Sequence, residues 1–401
     1  MIEGARPEVE LACRAVTPSD ADAVRAPIET LLGADLDWEF LLEFVRHHGV
    51  GPAVHDRLVG GYGSRLPPEV RAALDRQHRS RTVENLRMAT ALHELFDRFA
   101  DEGVRALPVK GPVLAEAAHG SLSRRSFNDL DLQIHRADVP RALDVMESLG
   151  YERVPDVPRR DDAAILGGPL TPPLATEYTL RRPADGVAVE VGWRFGSDPF
   201  SFAPGFETFW DRRESVSVAG RTVPALAPAD RLLLLAYHCV KHGCVLLKWI
   251  ADVAEAVHAT PGLDWRALSR RAEEYGTARR LTVALGVATR LLDADGPPVG
   301  EWLADDPAAA ALVDRVHGRF VDRPLAPFES VDTVDFLLAA SDSGRAKALT
   351  RLALSPVHPT LSEYRLLPLP GPLHPVYYLL RPLRLLLAGV RSTGTRPSAE
   401  G

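Results

Sequence analysis

The chain has 401 residues, 46% of them hydrophobic and 25% charged, which is enough for a sizeable core divided among two or three domains. Its net charge of −7 argues against a protein whose main work is coating nucleic acid, since phosphate neutralisation draws on a large positive surface. Cys13, Cys239 and Cys244 give no disulfide framework, the N-terminus MIEGARPEVE lacks the parts of a signal peptide, and long apolar runs are broken by Pro or charge, so a cytoplasmic protein without a membrane span is expected.

Residues 1 to about 80 read as helical, with Trp38, Phe40, Leu41, Phe44 and Val45 spaced for one helix face and Pro67-Pro68 opening a further element. From Thr82 to Glu102 an amphipathic pattern (Leu86, Ala89, Leu92, Leu95, Phe96, Phe99) predicts a long helix that stops at Gly103. Arg105–Val109 reads as a short strand, Lys110-Gly111 as a turn, and Pro112 as the start of a short helix ending near Gly120. Leu130–Ile134 alternates apolar and polar residues as a half-buried strand does, and Asp138–Leu149 is a helix closed by Gly150. The Pro-rich stretch 155 to 173 reads as a loop or flap, and Glu177–Arg182 and Val187–Trp193 as two strands around Ala184-Asp185-Gly186. Beyond about residue 225 the chain turns helical again, with Pro228 at a helix start and a helical stretch from Arg266 to Leu292. The Pro/Leu-rich tail is broken up by Arg381, Pro382 and Arg384. A tail packed on the protein is a better reading of it than a membrane-surface helix.

The basic residues carry a further signal. Of 47, only Lys110, Lys241, Lys248 and Lys347 are lysine, the bias of a GC-rich genome that writes arginine wherever a generic positive charge will do. A lysine kept in that background is expected to be needed as a lysine, because ammonium is a compact point charge where guanidinium is a broad planar fork. Asp129 and Asp131, in Asn128-Asp129-Leu130-Asp131, are expected to project to one side of their strand about 6 to 7 Å apart, close enough to share a divalent ion. Asp-x-Asp alone is a common chance pairing. Its weight comes from the Lys-Gly turn upstream and from Glu190, an acid inside the apolar strand Val187–Val191, where an unpartnered charge would be costly.

The run Val109-Lys110-Gly111-Pro112-Val113-Leu114, followed by Arg125-Ser126-Phe127-Asn128-Asp129-Leu130-Asp131-Leu132, resembles the DNA-polymerase-β-like nucleotidyltransferases. The similarity is to the bacterial group whose pattern is Lys-Gly, then Arg-x-x-x-Asp-x-Asp, then an acid in a Val-Asp-Leu-His-Trp-like strand, then a helix with His and Lys, and it covers roughly residues 30 to 260. The resemblance implies that Asp129, Asp131 and Glu190 are the metal-binding and catalytic carboxylates, that two Mg²⁺ ions are bound with Mn²⁺ able to substitute, and that Lys110, Gly111 and Arg125 approach the triphosphate of an NTP such as ATP. The superfamily's usual Gly-Ser is Gly111-Pro112 here, which leaves Lys110 and backbone amides to meet the phosphates, and Gly192 stands where the group has its histidine. The implied reaction is transfer of a nucleoside monophosphate to a hydroxyl or phosphate acceptor, a small molecule or peptide, with Glu190 or a neighbouring acid as general base. A fold retained for binding without turnover is the alternative. A DxD glycosyltransferase is disfavoured because the first hundred residues offer no Rossmann-like half.

A second constellation is Tyr237-His238-Cys239-Val240-Lys241-His242-Gly243-Cys244, followed by Lys248-Trp249 and Asp252. On one continuous helix, His238, His242, Val245, Trp249 and Asp252 share a stripe, with Lys241 beside it. His238, Lys241 and His242, positively charged, are then expected to bind nucleotide across a cleft from the acids, although plain packing of the stripe is nearly as good a reading. A zinc site of His238, Cys239, His242 and Cys244 is disfavoured because the cysteines would point away from the histidines. The expected architecture is α+β: a helical segment 1–81, a small mixed-sheet nucleotidyltransferase core 82–225, a helical domain 226–345 closing the cleft, and a tail 346–401.

Overall fold

A computed structural model describes the chain except for residues 1, 3, 20, 155–165, 167–175, 196–203, 295, 297–298, 326–329, 343–360, 370 and 394–401. The 155–173 stretch expected as a flap therefore lies, apart from Leu166, outside the described residues. The fold is α+β, with a small mixed sheet set among helices. The first half opens with helices Pro7–Val16, Ala21–Leu31 and Trp38–His48, then a short helical run to Tyr62, and then the 34-residue helix Pro68–Asp101. That last helix begins at the predicted Pro68 start and runs through residues 75–84, where arginine and histidine blur the apolar stripe.

The main sheet has five strands: β1 (Ala106–Pro108), β2 (Leu130–Ile134), β3 (Glu152–Val154), β4 (Glu177–Arg181) and β5 (Ala188–Gly192), in the order β1-β2-β5-β4-β3. Strands β2 and β5 are parallel, with Asp131 opposite Glu190, and the other pairs are antiparallel. Alternation then decides which face does what. Leu130, Leu132, Ile134, Val189 and Val191 turn to one side and pack with Leu92, Leu95 and Phe99 of the long helix and with Leu143 and Met146 of helix Val139–Ser148. Asp131, Gln133 and Glu190 are left on the other face. A separate hairpin, β6 (Glu214–Val218) and β7 (Arg221–Ala225), adds Val218, Val223 and Ala225 to the same core. β3 and this hairpin are not among the predicted elements.

The other core is helical. Val9, Leu11, Leu41, Phe44 and Val45 from the start of the chain pack with Leu233, Ile250, Val283, Leu285, Val287 and Phe320 from helices Pro228–Lys241, Leu247–His258, Ala278–Leu292 and Pro307–Asp322. Two predicted helices are in fact pairs. The 266–292 stretch divides into Trp265–Glu274 and Ala278–Leu292, and the 238–252 stretch breaks between Lys241 and Leu247, where Gly243 and Cys244 take left-handed backbone (φ 64° and 50°). In the tail, Tyr364 and Tyr377 form a small cluster of their own while Leu366, Leu379 and Leu383 remain exposed. Among the described residues no helix is long and apolar enough to cross a membrane.

Candidate active site

The polar face of the sheet and the second helical pair enclose one cavity of about 400 Å³. The nine residues expected to form the site line it: Lys110, Gly111, Arg125, Asp129, Asp131 and Glu190 on the sheet side, and His238, Lys241 and His242 on the helical side. Lys248 and Trp249 join them, so three of the four lysines meet at one cavity.

The sheet wall is built by tight local geometry. The Val109 N–H donates to the Asp131 carbonyl at 2.9 Å, extending the β1–β2 ladder by one residue and placing Lys110 beside Asp131, where Lys110 Nζ lies 3.3 Å from Asp131 Oδ2. Gly111 then turns at φ +60°, a backbone conformation that glycine adopts freely, with the Asp129 carbonyl at ordinary contact distance from where a Cβ would stand. Gly192 also has a local reason. It faces Gln133 in register, and the end of the Gln133 side chain occupies the space a Cβ would need, so a larger residue there would have to displace that flexible amide. Gln133, itself a cavity residue, fills the place where a side chain at 192 would stand.

The carboxylates feel one another. Burial and then the Asp131 charge raise the Asp129 carboxyl above the ordinary range. Glu190 is pushed up to about 7, first by burial and then by Asp131 and Asp129. All three side chains offer only oxygen donors, a set that suits Mg²⁺ or Mn²⁺, and the crowding of negative charge is of the kind a dication relieves. Among the described residues, however, no three His, Cys, Asp or Glu side chains are drawn together into a ready metal cage, and Asp131 is engaged by Lys110. The donors fit the ion in chemistry and in placement around one cavity, without being preformed around it.

The raised Glu190 gives a testable pH dependence. Its unfolded counterpart ionises first, so between about pH 4.5 and 7 the unfolded chain has lost a proton that the folded chain retains, and stability falls as pH rises. Unfolding of the metal-free protein should lose on the order of 1 to 3 kcal/mol across that window relative to Glu190→Gln, in which this contribution is absent. Parallel pH profiles for the two proteins would show that the carboxyl ionises as it does in water.

The helical wall is aromatic and differs from expectation in one respect. His238 and His242 lie with ring centroids 4.7 Å apart, and Trp249 sits 5.3 Å from the first and 4.8 Å from the second, so three rings cluster across the helix break. Burial, followed by the neighbouring lysines, holds His238 well below the usual imidazole range and His242 at about 4. Both are therefore neutral at physiological pH, and the positive charge expected of them is supplied by lysines instead. Lys248 is itself lowered by burial and by Arg125. Asp252 pairs with Arg125 through Nε–Oδ1 at 2.7 Å and Nη2–Oδ2 at 2.8 Å. Cys239 and Cys244 are fully buried, outside the cavity lining.

Residues 34–293 match the model of a family described as uncharacterised nucleotidyltransferases, a span of well over half the chain. The chain belongs to that nucleotidyltransferase family. No curated protein matches this chain. Among solved structures it is similar to the crystal structure of an antigenic nucleotidyltransferase-like protein from Paracoccidioides brasiliensis, at 16% identity over 58% of this chain and 91% of that one, with a TM-score of 0.29. The family match takes in both walls of the cavity, from Lys110 to Trp249.

Proposed function

We propose that this nucleotidyltransferase moves a nucleoside monophosphate from an NTP to a hydroxyl or phosphate acceptor, a small molecule or peptide of the kind modified in natural-product tailoring, with Asp129, Asp131 and Glu190 as its metal-binding and catalytic acids. The observation that carries the reading is the meeting of Asp129, Asp131 and Glu190 with three lysines at one cavity in an otherwise arginine-rich chain. Bound Mg²⁺ or Mn²⁺ would supply electrophilic polarisation of the α-phosphate and neutralise charge on the departing pyrophosphate. Asp129, Asp131 and Glu190 would hold it. Glu190, or whichever of these acids faces the acceptor, is placed to take the acceptor's proton. Lys110, released from Asp131, reaches the phosphate chain as a point charge, with Lys241 and Lys248 on the facing wall. The neutral rings of His238, His242 and Trp249 give a face on which a planar group can stack without displacing a charge.

The test is incubation of the full chain with each NTP and Mg²⁺ in the presence of cell extract, following pyrophosphate. Release with the wild type, reduced roughly tenfold or more in Lys110→Arg although charge is kept, is the expected outcome. Tight NTP binding without release in any extract would favour a module that binds nucleotide and has lost turnover. Equal release by Lys110→Arg would show that the lysine is not used as a point charge.

A further inference from the structure

Arg125 stands four residues before Asp129 and lines the cavity, yet it is only 7% exposed and two of its three terminal nitrogen positions are already taken. Nε and Nη2 are held by the two oxygens of Asp252, and His119 Nε2 lies 2.9 Å from the same Asp252 Oδ1. The loop itself is tied down, since Asn85 Nδ2 donates to the carbonyls of Leu122 and Arg125 at 2.6 and 2.8 Å. The remaining nitrogen, Nη1, is buried and has no hydrogen-bond acceptor among the described residues. Native structures seldom leave a buried charged donor unpaired without a reason. An arginine fixed along one edge by a carboxylate can present only its other end, and that end is suited to a phosphate oxygen.

The geometry points to Asp252, with His119 beside it, as positioning residues that hold Arg125 so that Nη1 serves the phosphate chain of a ligand bound in the cavity. This rests on the nucleotidyl-transfer reading and adds a residue to it that touches no reacting atom. Burial opposes ionisation of Asp252, but the charge and hydrogen bonds of Arg125, followed by those of His119, outweigh it and keep the carboxyl well below its usual range. The anchor is therefore an anion throughout the physiological range. Asp252 also shares helix Leu247–His258 with Lys248, one turn earlier, so a single helix both presents a lysine to the cavity and aligns the arginine across from it. Buried nitrogens of Arg14, Arg124 and Arg231 also lack a hydrogen-bond acceptor among the described residues, but of these four arginines Arg125 is the one that lines the cavity.

The experiment is calorimetric titration of the full chain with a non-hydrolysable ATP analogue plus Mg²⁺, with inorganic tripolyphosphate plus Mg²⁺, and with adenosine, for the wild type, Asp252→Asn, Arg125→Lys and the double variant. Asp252→Asn should weaken the ATP analogue and tripolyphosphate about tenfold and adenosine less than twofold. The double variant should be no weaker than Arg125→Lys alone, because the aspartate acts through the arginine. Equal losses for adenosine and triphosphate, or multiplying losses in the double variant, would overturn the assignment. Should Asp252→Asn not fold, His119→Gln carries the same comparison, with a smaller loss of about threefold expected on the phosphate-bearing ligands alone. Unchanged triphosphate binding in the variants beside good wild-type binding overturns the positioning role and leaves the nucleotide reading standing. Wild-type binding of tripolyphosphate but not of the ATP analogue does the reverse, and wild-type binding of neither overturns both.

Discussion

Asp129→Asn should lower metal-dependent nucleotidyl transfer by on the order of 10³-fold while leaving the melting temperature unchanged or higher. The two halves of that expectation share one cause. Asp129 is crowded by burial and by the Asp131 charge, so its ionised form is held at a cost in the metal-free protein, and an amide of the same shape removes the cost. The same crowding is what a dication would relieve, so the amide should also remove a ligand. Steady-state pyrophosphate release and thermal unfolding on the same preparations separate the possibilities. A loss of several degrees in melting temperature would mark Asp129 as a structural carboxylate, and retained turnover would remove it from the catalytic set.

The largest expected loss of stability lies elsewhere, at Asp230. This residue, in the first turn of helix Pro228–Lys241, has no exposed surface, and its carboxylate holds Arg212 through two contacts of 2.8 Å and Arg271 through one of 2.9 Å. Arg212 comes from the segment leading into β6 and Arg271 from helix Trp265–Glu274, so one carboxylate ties the sheet region to two helices. Its place in the first helical turn adds a favourable interaction with the helix dipole. Asp230→Ala should cost about 3 to 5 kcal/mol, because it leaves two guanidinium groups partly buried without their counter-charge. Arg271→Ala should cost clearly less, since Arg212 still satisfies both carboxylate oxygens. Chemical denaturation of the three proteins measures both differences, and a loss below about 1 kcal/mol for Asp230→Ala would place the cluster with ordinary surface pairs.

The parts of this architecture that could be read from the chain are those governed by local rules. Leu130–Ile134 announces itself by alternation, and the Lys110-Gly111 turn by a glycine whose positive φ the fold requires. The nine residues picked from the sequence line one cavity, and among them Asp131 and Glu190 meet because β2 and β5 run parallel in the register that sets one against the other. The elements and contacts that escaped did so for different reasons. Three-residue β3 carries no usable period, whereas Glu214–Val218 does alternate and the Ala219-Gly220 turn could have revealed its hairpin. The break at Gly243-Cys244 was hidden by assuming one helix through Asp252, an assumption that also aimed Asp252 at the histidines. Its actual partner, Arg125, lies 127 residues away in sequence, and no spacing rule could pair them.

The helical core described above joins residues near the start of the chain to residues beyond 228. During synthesis the apolar faces of Pro7–Val16 and Trp38–His48 leave the ribosome long before Leu233, Ile250 or Leu285 exists to cover them. At ordinary elongation rates that interval is roughly 10 to 40 s, far longer than helix formation or collapse requires. The sheet, whose own core is complete by Ala225, can form in the meantime, leaving a half-made protein with one finished module and one sticky helical arm. Expression of this chain is therefore expected to depend on chaperone supply more than the stability of the finished fold would suggest.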